Sequence, residues 1–167
     1  MKAKLLHVLL LVAVIHNMNS CSSDASEKQD RNASSLNFMN YEYNSSELET
    51  MALINEYRVS VGLNALEKNN YISYKSEEHV NYMIVNNVVN HDDFVARSED
   101  IMSVLGAEKV DENIAYNYST SQAAVEAWLN SPRHKKRIIG DFTHFGISIR
   151  QDPVNSKKYY AIIFVKI

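Results

Sequence analysis

Apolar positions divide the chain into three regimes. The first is an unbroken run, Leu5-Leu6-His7-Val8-Leu9-Leu10-Leu11-Val12-Ala13-Val14-Ile15, preceded by Lys2 and Lys4. From Ser22 to Asn44 the residues are Ser, Asn, Asp, Glu, Lys and Gln with few apolar ones among them. Beyond that, apolar residues recur with the spacings of helices and strands. Ser46-Glu47-Leu48-Glu49 has the form of a capping box, with Glu49 reaching back to the cap amide. It predicts a helix with Leu48, Met51, Ile54 and either Tyr57 or Arg58 along one stripe, stopping near Gly62. Asn70 to Asn87 reads as a longer helix with Ile72, Ser76, His79, Val80 and Met83 on adjacent turns and Glu77 and Glu78 toward water.

Asn90-His91-Asp92-Asp93 is turn chemistry, and a short helix is expected from Ser98. Glu112 to Tyr116 reads as a strand, and Ser121 to Asn130 as a helix burying Ala124, Val125, Trp128 and Leu129. Pro132 opens the next helix, where the first turn needs no amide hydrogen. Phe145 to Arg150 and Tyr159 to Val165 read as closing strands joined through Asp152-Pro153-Val154-Asn155-Ser156. Three strands at most with four or five helices predict an antiparallel sheet covered on both faces.

The leading apolar run is shorter than the roughly 20 residues that span a bilayer and has the basic start of a signal peptide. Cys21, the only cysteine, follows it between Ser20 and Ser22. The context is similar to a bacterial lipoprotein processing site, with Cys21 as the lipid-bearing first residue; the alternative is an ordinary cleaved leader and a leftover cysteine. The expected organisation is a signal peptide over 1–20, a flexible tether over 21–45 and one domain over 46–167. Such a tether reaches roughly 25 Å. A single cysteine allows no intrachain disulfide, so the domain rests on its core. The net charge of −3 offers no basic stripe for nucleic acid, and the four glycines do not cluster into a phosphate-cradling loop.

Several words stand in order along the domain: Asn55-Glu56-Tyr57-Arg58 with Gly62-Leu63; Ser76 and His79 with Met83; His91 with Phe94 and Arg97. Then come Glu112-Asn113-Ile114-Ala115, the stretch from Ala124 through Trp128-Leu129-Asn130-Ser131-Pro132-Arg133-His134, and Phe142-Thr143-His144-Phe145-Gly146. In this order they resemble the CAP superfamily of secreted, SCP-like proteins, from about Glu47 to the C-terminus. The resemblance implies an α+β fold, a three-layer α-β-α sandwich around a small antiparallel sheet. The missing cysteines give the chain a bacterial-type look.

Many members of that family line a central cleft with two histidines and two glutamates. By resemblance His91 is the first histidine, Glu112 the glutamate of the E-N-I word, and His134 the histidine of the S-P-G-H word. The second glutamate is replaced by Ser131, as is common in bacterial members with that word. Glu126 does not substitute for it, because it lies about 160° around the helix from Trp128 and faces water if Trp128 is buried; Ser131 lies about 60° away. Arg133, where the family usually has glycine, is expected to disfavour protonation of His134.

Two imidazoles and a carboxylate are also the ligand set of an open zinc site, His91, Glu112 and His134, which would activate water or a carbonyl for hydrolysis. The competing reading is a hydrogen-bonded polar cluster that orders three loops. A Ser131–His134 nucleophile pair has no evident orienting third group, and a serine before proline is a plain helix cap. His79 is expected to make one hydrogen bond at the cleft edge, His144 to lie at the surface, and Arg58 and Arg97 to pair with carboxylates. Three functions follow from different classes: a membrane-tethered module binding a small ligand, lipid, peptide or glycan without turnover; a zinc-dependent hydrolase of envelope or extracellular polymers; and a structural lipoprotein. The binding module is the leading expectation, because the missing second glutamate weakens the enzyme reading more. The expected location is outside the inner membrane, anchored by lipid in the cell envelope or at the cell surface.

Overall fold

A computed structural model describes residues 40–167. The leader, Cys21 and most of the expected tether lie outside the described residues. The elements, in chain order, are α1 (Ser45–Ser60), β1 (Glu67–Lys68), α2 (Asn70–Asn86), α3 (Phe94–Leu105), β2 (Lys109–Tyr116), α4 (Ser121–Asn130), α5 (Pro132–Ile138), β3 (His144–Gln151) and β4 (Lys158–Lys166). The sheet runs β1-β3-β4-β2. Both β2 and β3 pair antiparallel with the central β4, while the two-residue β1 pairs parallel with β3. The expected three-strand antiparallel sheet is thus a four-stranded mixed one.

Alternation along β4 divides the core. Tyr159, Ala161, Ile163 and Val165 pack with Ile72, Val80 and Met83 of α2 and Ile101 of α3. On the other face Ile162 and Phe164 meet Met51 and Ile54 of α1, Val125 and Trp128 of α4 and Ile138 of α5. The result is the α-β-α sandwich, with a core closed within residues 41–165. Helix α2 lies unusually close to β3 at Gly146, where a Cβ would come within 2.2 Å of Ser73 N and 2.4 Å of Ile72 C. Only glycine allows that approach.

The structure corrects several local expectations. Asn44, not Ser46, caps α1, in a reciprocal box with Glu47. The stripe of α1 is Glu47, Thr50, Met51, Ile54 and Arg58, and Leu48 is exposed. Glu47 is buried because Arg150 reaches its Oε1 and the Ile149 amide donates to the same oxygen at 2.8 Å. Arg150 also holds Glu77, which is therefore half-buried instead of facing water. Packing begins at Tyr41, inside the segment expected as tether. Its hydroxyl donates to Glu47 Oε1 and the Ile147 carbonyl. Helix α3 begins at Phe94, four residues before Ser98, after Asp93 takes a left-handed turn at φ 56°.

Candidate functional site

Glu112 sits on β2, which among the described residues has β4 on one side and no strand on the other. Its register partner is Ile163, so its side chain lies on the α2/α3 face. Asp111 and Asn113 lie on the opposite face, toward α5. The free edge of β2 is therefore where groups from both faces of the sheet approach one another.

On the α2/α3 face the chain builds a tight loop. Asn87 ends α2 in a left-handed conformation, and the loop after it is fastened from both helices. His79 of α2 donates its Nε2 hydrogen to the Asn90 carbonyl at 2.8 Å, the Tyr82 hydroxyl donates to Asp92 at 2.7 Å, and Arg97 of α3 donates to the Asp92 carbonyl at 3.2 Å. A carbonyl can only accept, so His79 carries its proton on Nε2.

This loop brings His91 to Glu112, with Nδ1 2.8 Å from Oε1. Arg97 takes the other carboxylate oxygen, Oε2, through Nη2 at 2.8 Å and Nε at 3.1 Å. His79 Nε2 lies 3.8 Å from Oε1. The Glu112 side chain is 1% exposed, that of Arg97 9% and that of His91 36%. Burial alone would raise the Glu112 pKa, but the His91 hydrogen bond and the charge and hydrogen bonds of Arg97 overcome it and hold the carboxyl below its ordinary value. The carboxylate is ionised and both its oxygens are engaged. His91 donates through Nδ1 to the carboxylate, and its Nε2 is not taken up by that bond.

The other side of the edge is made by α4 and α5. Trp128 is buried and donates its Nε1 hydrogen to the Ile114 carbonyl at 2.9 Å, fastening α4 to β2. Glu126 is exposed, as helix geometry requires. Ser131 ends α4 and occupies the cap position of α5, but its hydroxyl makes no capping hydrogen bond. His134 is half-buried in the first turn of α5, its carbonyl accepting from Asn113 Nδ2 at 3.1 Å. Arg137 fixes the helix further by donating to Asp111 and, at 3.3 Å, to Asn113. The His134 pKa is lowered by burial first, then by the charges of Arg137, His91 and Arg133. Arg133 acts in the expected direction but as the smallest of these causes. Among the described residues, Ser131 and His134 share no hydrogen bond.

These placements bear on the zinc ligand set. Glu112 is occupied by His91 and Arg97, so it orients His91 instead of presenting a free oxygen. Among the described residues no three His, Cys, Asp or Glu side chains form a group able to hold a metal ion. The donor set as placed does not fit an open three-ligand zinc site.

Other candidates resolve individually. Arg58 is buried and donates to the carbonyls of Asn64, Ile138 and Gly140, not to a carboxylate. His144 is half-buried beside Thr143, 3.6 Å from Glu67. The sequence reading missed the Glu47–Arg150–Glu77 network and the Asp111–Arg137 pair. An arginine at position 150, in phase with the inward-facing Gly146 and Ser148, was the one signal for the first of these.

The family profile described as "CAP: Cysteine-rich secretory protein family" matches residues 51–165, and the chain belongs to that family. It is 35% identical over 127 residues to "Uncharacterized membrane protein YlbC" of Bacillus subtilis (strain 168), a match covering 72% of this chain and 34% of that protein. The chain thus spans about a third of that relative's length. Among solved structures, an outer surface protein from Borrelia burgdorferi superposes with a TM-score of 0.68 at 21% identity, over 75% of this chain and 96% of that one. An extracellular protein containing an SCP domain from Bacillus anthracis str. Ames superposes with a TM-score of 0.65 at 25% identity, over 74% of this chain and 41% of that one. No helix among the described residues is long and apolar enough to cross a membrane.

Proposed function

We propose that this chain is an exported, membrane-tethered CAP-domain protein that binds a ligand without turning it over, using His91, Glu112, Ser131 and His134 at the free edge of β2. The observation that carries the reading is the saturation of Glu112 by His91 and Arg97. An engaged carboxylate neither accepts a substrate proton nor takes an open metal position. It fixes one imidazole through a bond that does not take up that ring's second nitrogen. With protonation of His134 disfavoured by burial and by Arg137, the edge offers hydrogen-bonding groups suited to the polar part of a small molecule, lipid, peptide or glycan. The tether rests on the basic, apolar leader and on Cys21. A relative named as a membrane protein, and a described domain without a spanning helix, agree with attachment from outside the domain.

The test is native mass spectrometry of the chain from Ser22 to Ile167, with and without zinc, beside His91→Ala and His134→Ala. A co-purifying small molecule, released in both variants while the fold persists, supports the binding reading and identifies the ligand class. One tightly held zinc, lost in both variants, overturns it in favour of the metal-dependent hydrolase. Binding neither, with only a stability change of about 1 to 3 kcal/mol in the variants, leaves the structural role.

A further inference from the structure

A second surface lies at the corner where α1 ends against α5. The sequence of α5 runs Pro132-Arg133-His134-Lys135-Lys136-Arg137-Ile138, a concentration of positive charge in a chain of net charge −3. Arg137 is committed to Asp111 and Asn113, and the Lys135 ammonium stands 5.5 Å from the centre of the Tyr57 ring. Arg133 and Lys136 are exposed and form no ion pair among the described residues. Spaced by three, they share a face of the helix, and Ile139 continues the same stripe just past its end.

The apolar part of the corner is equally exposed. Arg58 ties the last turn of α1 to the end of α5 by donating to the Ile138 carbonyl at 2.7 Å and the Gly140 carbonyl at 3.0 Å. Its neighbours Val59 and Val61 remain 60% and 48% exposed, and Ile139 39%. Beside them Leu63, Ala65, Ile139 and Phe142 help to line a cavity of about 520 Å³. Of the nearby carboxylates, Asp141 is held by Lys166 at 2.8 Å, Glu67 lines the same cavity 3.6 Å from His144, and Glu56 lies one turn back on α1.

We propose that this corner seats the domain on the surface of a bilayer containing anionic phospholipid. Arg133 and Lys136 meet headgroup phosphates, and Val59 and Ile139 enter the interface. Charge complementarity selects the anionic headgroup, and the exposed valine and isoleucine select a bilayer over a dissolved polyanion. The chain enters the domain at Tyr41, at the opposite end of α1, and sixteen helical residues place the corner about 24 Å from that end. Lipid binding by the corner does not rest on the tethered reading above.

The experiment therefore removes the anchor. The chain from Ser22 to Ile167 is sedimented with vesicles of phosphatidylcholine alone and of equimolar phosphatidylcholine and phosphatidylglycerol. Far-ultraviolet circular dichroism confirms that each protein is folded. Binding is expected only to the anionic vesicles, weakened about tenfold or more in R133E/K136E and also weakened in V59S/I139S. It should be unchanged in K68E/K157E, which alters net charge equally at other exposed positions. No binding to anionic vesicles, or an equal loss in K68E/K157E, overturns the proposal. Full binding by V59S/I139S overturns it too, by reducing the corner to a general anion site. Loss of the anchor reading would show separately, as an unmodified Cys21 thiol in mass spectra of the membrane-bound full chain, while vesicle binding by the anchorless chain is unaffected.

Discussion

Replacing Arg97 by methionine tests whether Glu112 is held as an ion or merely tolerated. The substitution keeps the aliphatic stem but removes two charge-assisted bonds, at 2.8 and 3.1 Å, from a carboxylate whose side chain is 1% exposed. Removing one partner of a buried ion pair costs about 3 to 5 kcal/mol. Two features reduce that figure here. Arg97 retains some contact with water, and Oε1 keeps its hydrogen bond from His91 at 2.8 Å. The expected loss for R97M is about 2 to 4 kcal/mol, a large share of an ordinary domain's stability. E112Q strands a guanidinium that still bonds the Asp92 carbonyl and reaches solvent, so about 1 to 3 kcal/mol is expected. The double variant should cost less than the two together, by about 1 to 3 kcal/mol. Urea unfolding followed by the fluorescence of Trp128, the single tryptophan, measures all three if the slopes match. A loss in R97M below about 1 kcal/mol, or additivity within about 0.5 kcal/mol, would refute the ion pair as the element that holds Glu112.

Three further outcomes are expected. Gly146→Ala drives a methyl into the backbone of α2 at Ser73 and Ile72, so it should lower stability by at least about 1 to 3 kcal/mol; an unchanged melting temperature would mean that α2 can move off the sheet. Asn44→Ala loses the α1 cap and the 3.1 Å bond to the Ile149 carbonyl, for about 1 to 2 kcal/mol in chemical denaturation, while Ser46→Ala, which removes no cap, should cost much less. Thermal unfolding should also show an acid dependence of definite sign. His79 and His134 are both lowered, by burial first, so the unfolded chain binds protons that the folded chain refuses. Stability should fall as pH drops through about 6.5, and fall again below about 4.3 as the lowered Glu112 carboxyl loses its advantage. A melting temperature that is flat from neutral pH to well below 6 would contradict this.

What the sequence disclosed, and what it withheld, follows from how local each signal is. Helix α4 was legible from Ala124, Val125 and Trp128, and the start of α5 from Pro132, because periodicity and proline chemistry act within one turn. The α1 cap was ambiguous. Both Asn44 and Ser46 have a glutamate three residues on, and the choice falls to Asn44 because Glu47 is bound by Arg150, more than 100 residues away. Strand β1 was invisible, since its two residues are exposed and belong to the sheet only through parallel pairing with His144 and Phe145. The meeting of His91 and Glu112 was suggested by family resemblance, not by spacing. The pairing of Arg97 with a carboxylate was expected, yet nothing local says that the carboxylate is Glu112. Arg58 went the other way, because the buried end of α5 and the turn after it present carbonyls that need donors.

The position of the candidate site follows from how the two edges of the sheet are closed. Beyond the short β1, the exposed backbone of β3 is met by side chains: Tyr41 donates to the Ile147 carbonyl, Ser73 accepts from the Ile147 amide, Asn44 donates to the Ile149 carbonyl and Glu47 accepts from the Ile149 amide. That edge is fully occupied in holding the start of the domain, and an unprotected strand edge is an invitation to pair with other chains. On β2 the covering is partial: Trp128 donates to the Ile114 carbonyl and Asp111 accepts from the Glu112 amide, both within the strand's middle. An edge strand is also the place where loops from opposite faces of one sheet can approach each other. This is why His91, on the loop between α2 and α3, and His134, on α5, come within electrostatic reach although they approach from opposite faces of the sheet. A ligand site assembled there needs no local motif, only a strand that presents Glu112 to one face and Asn113 to the other.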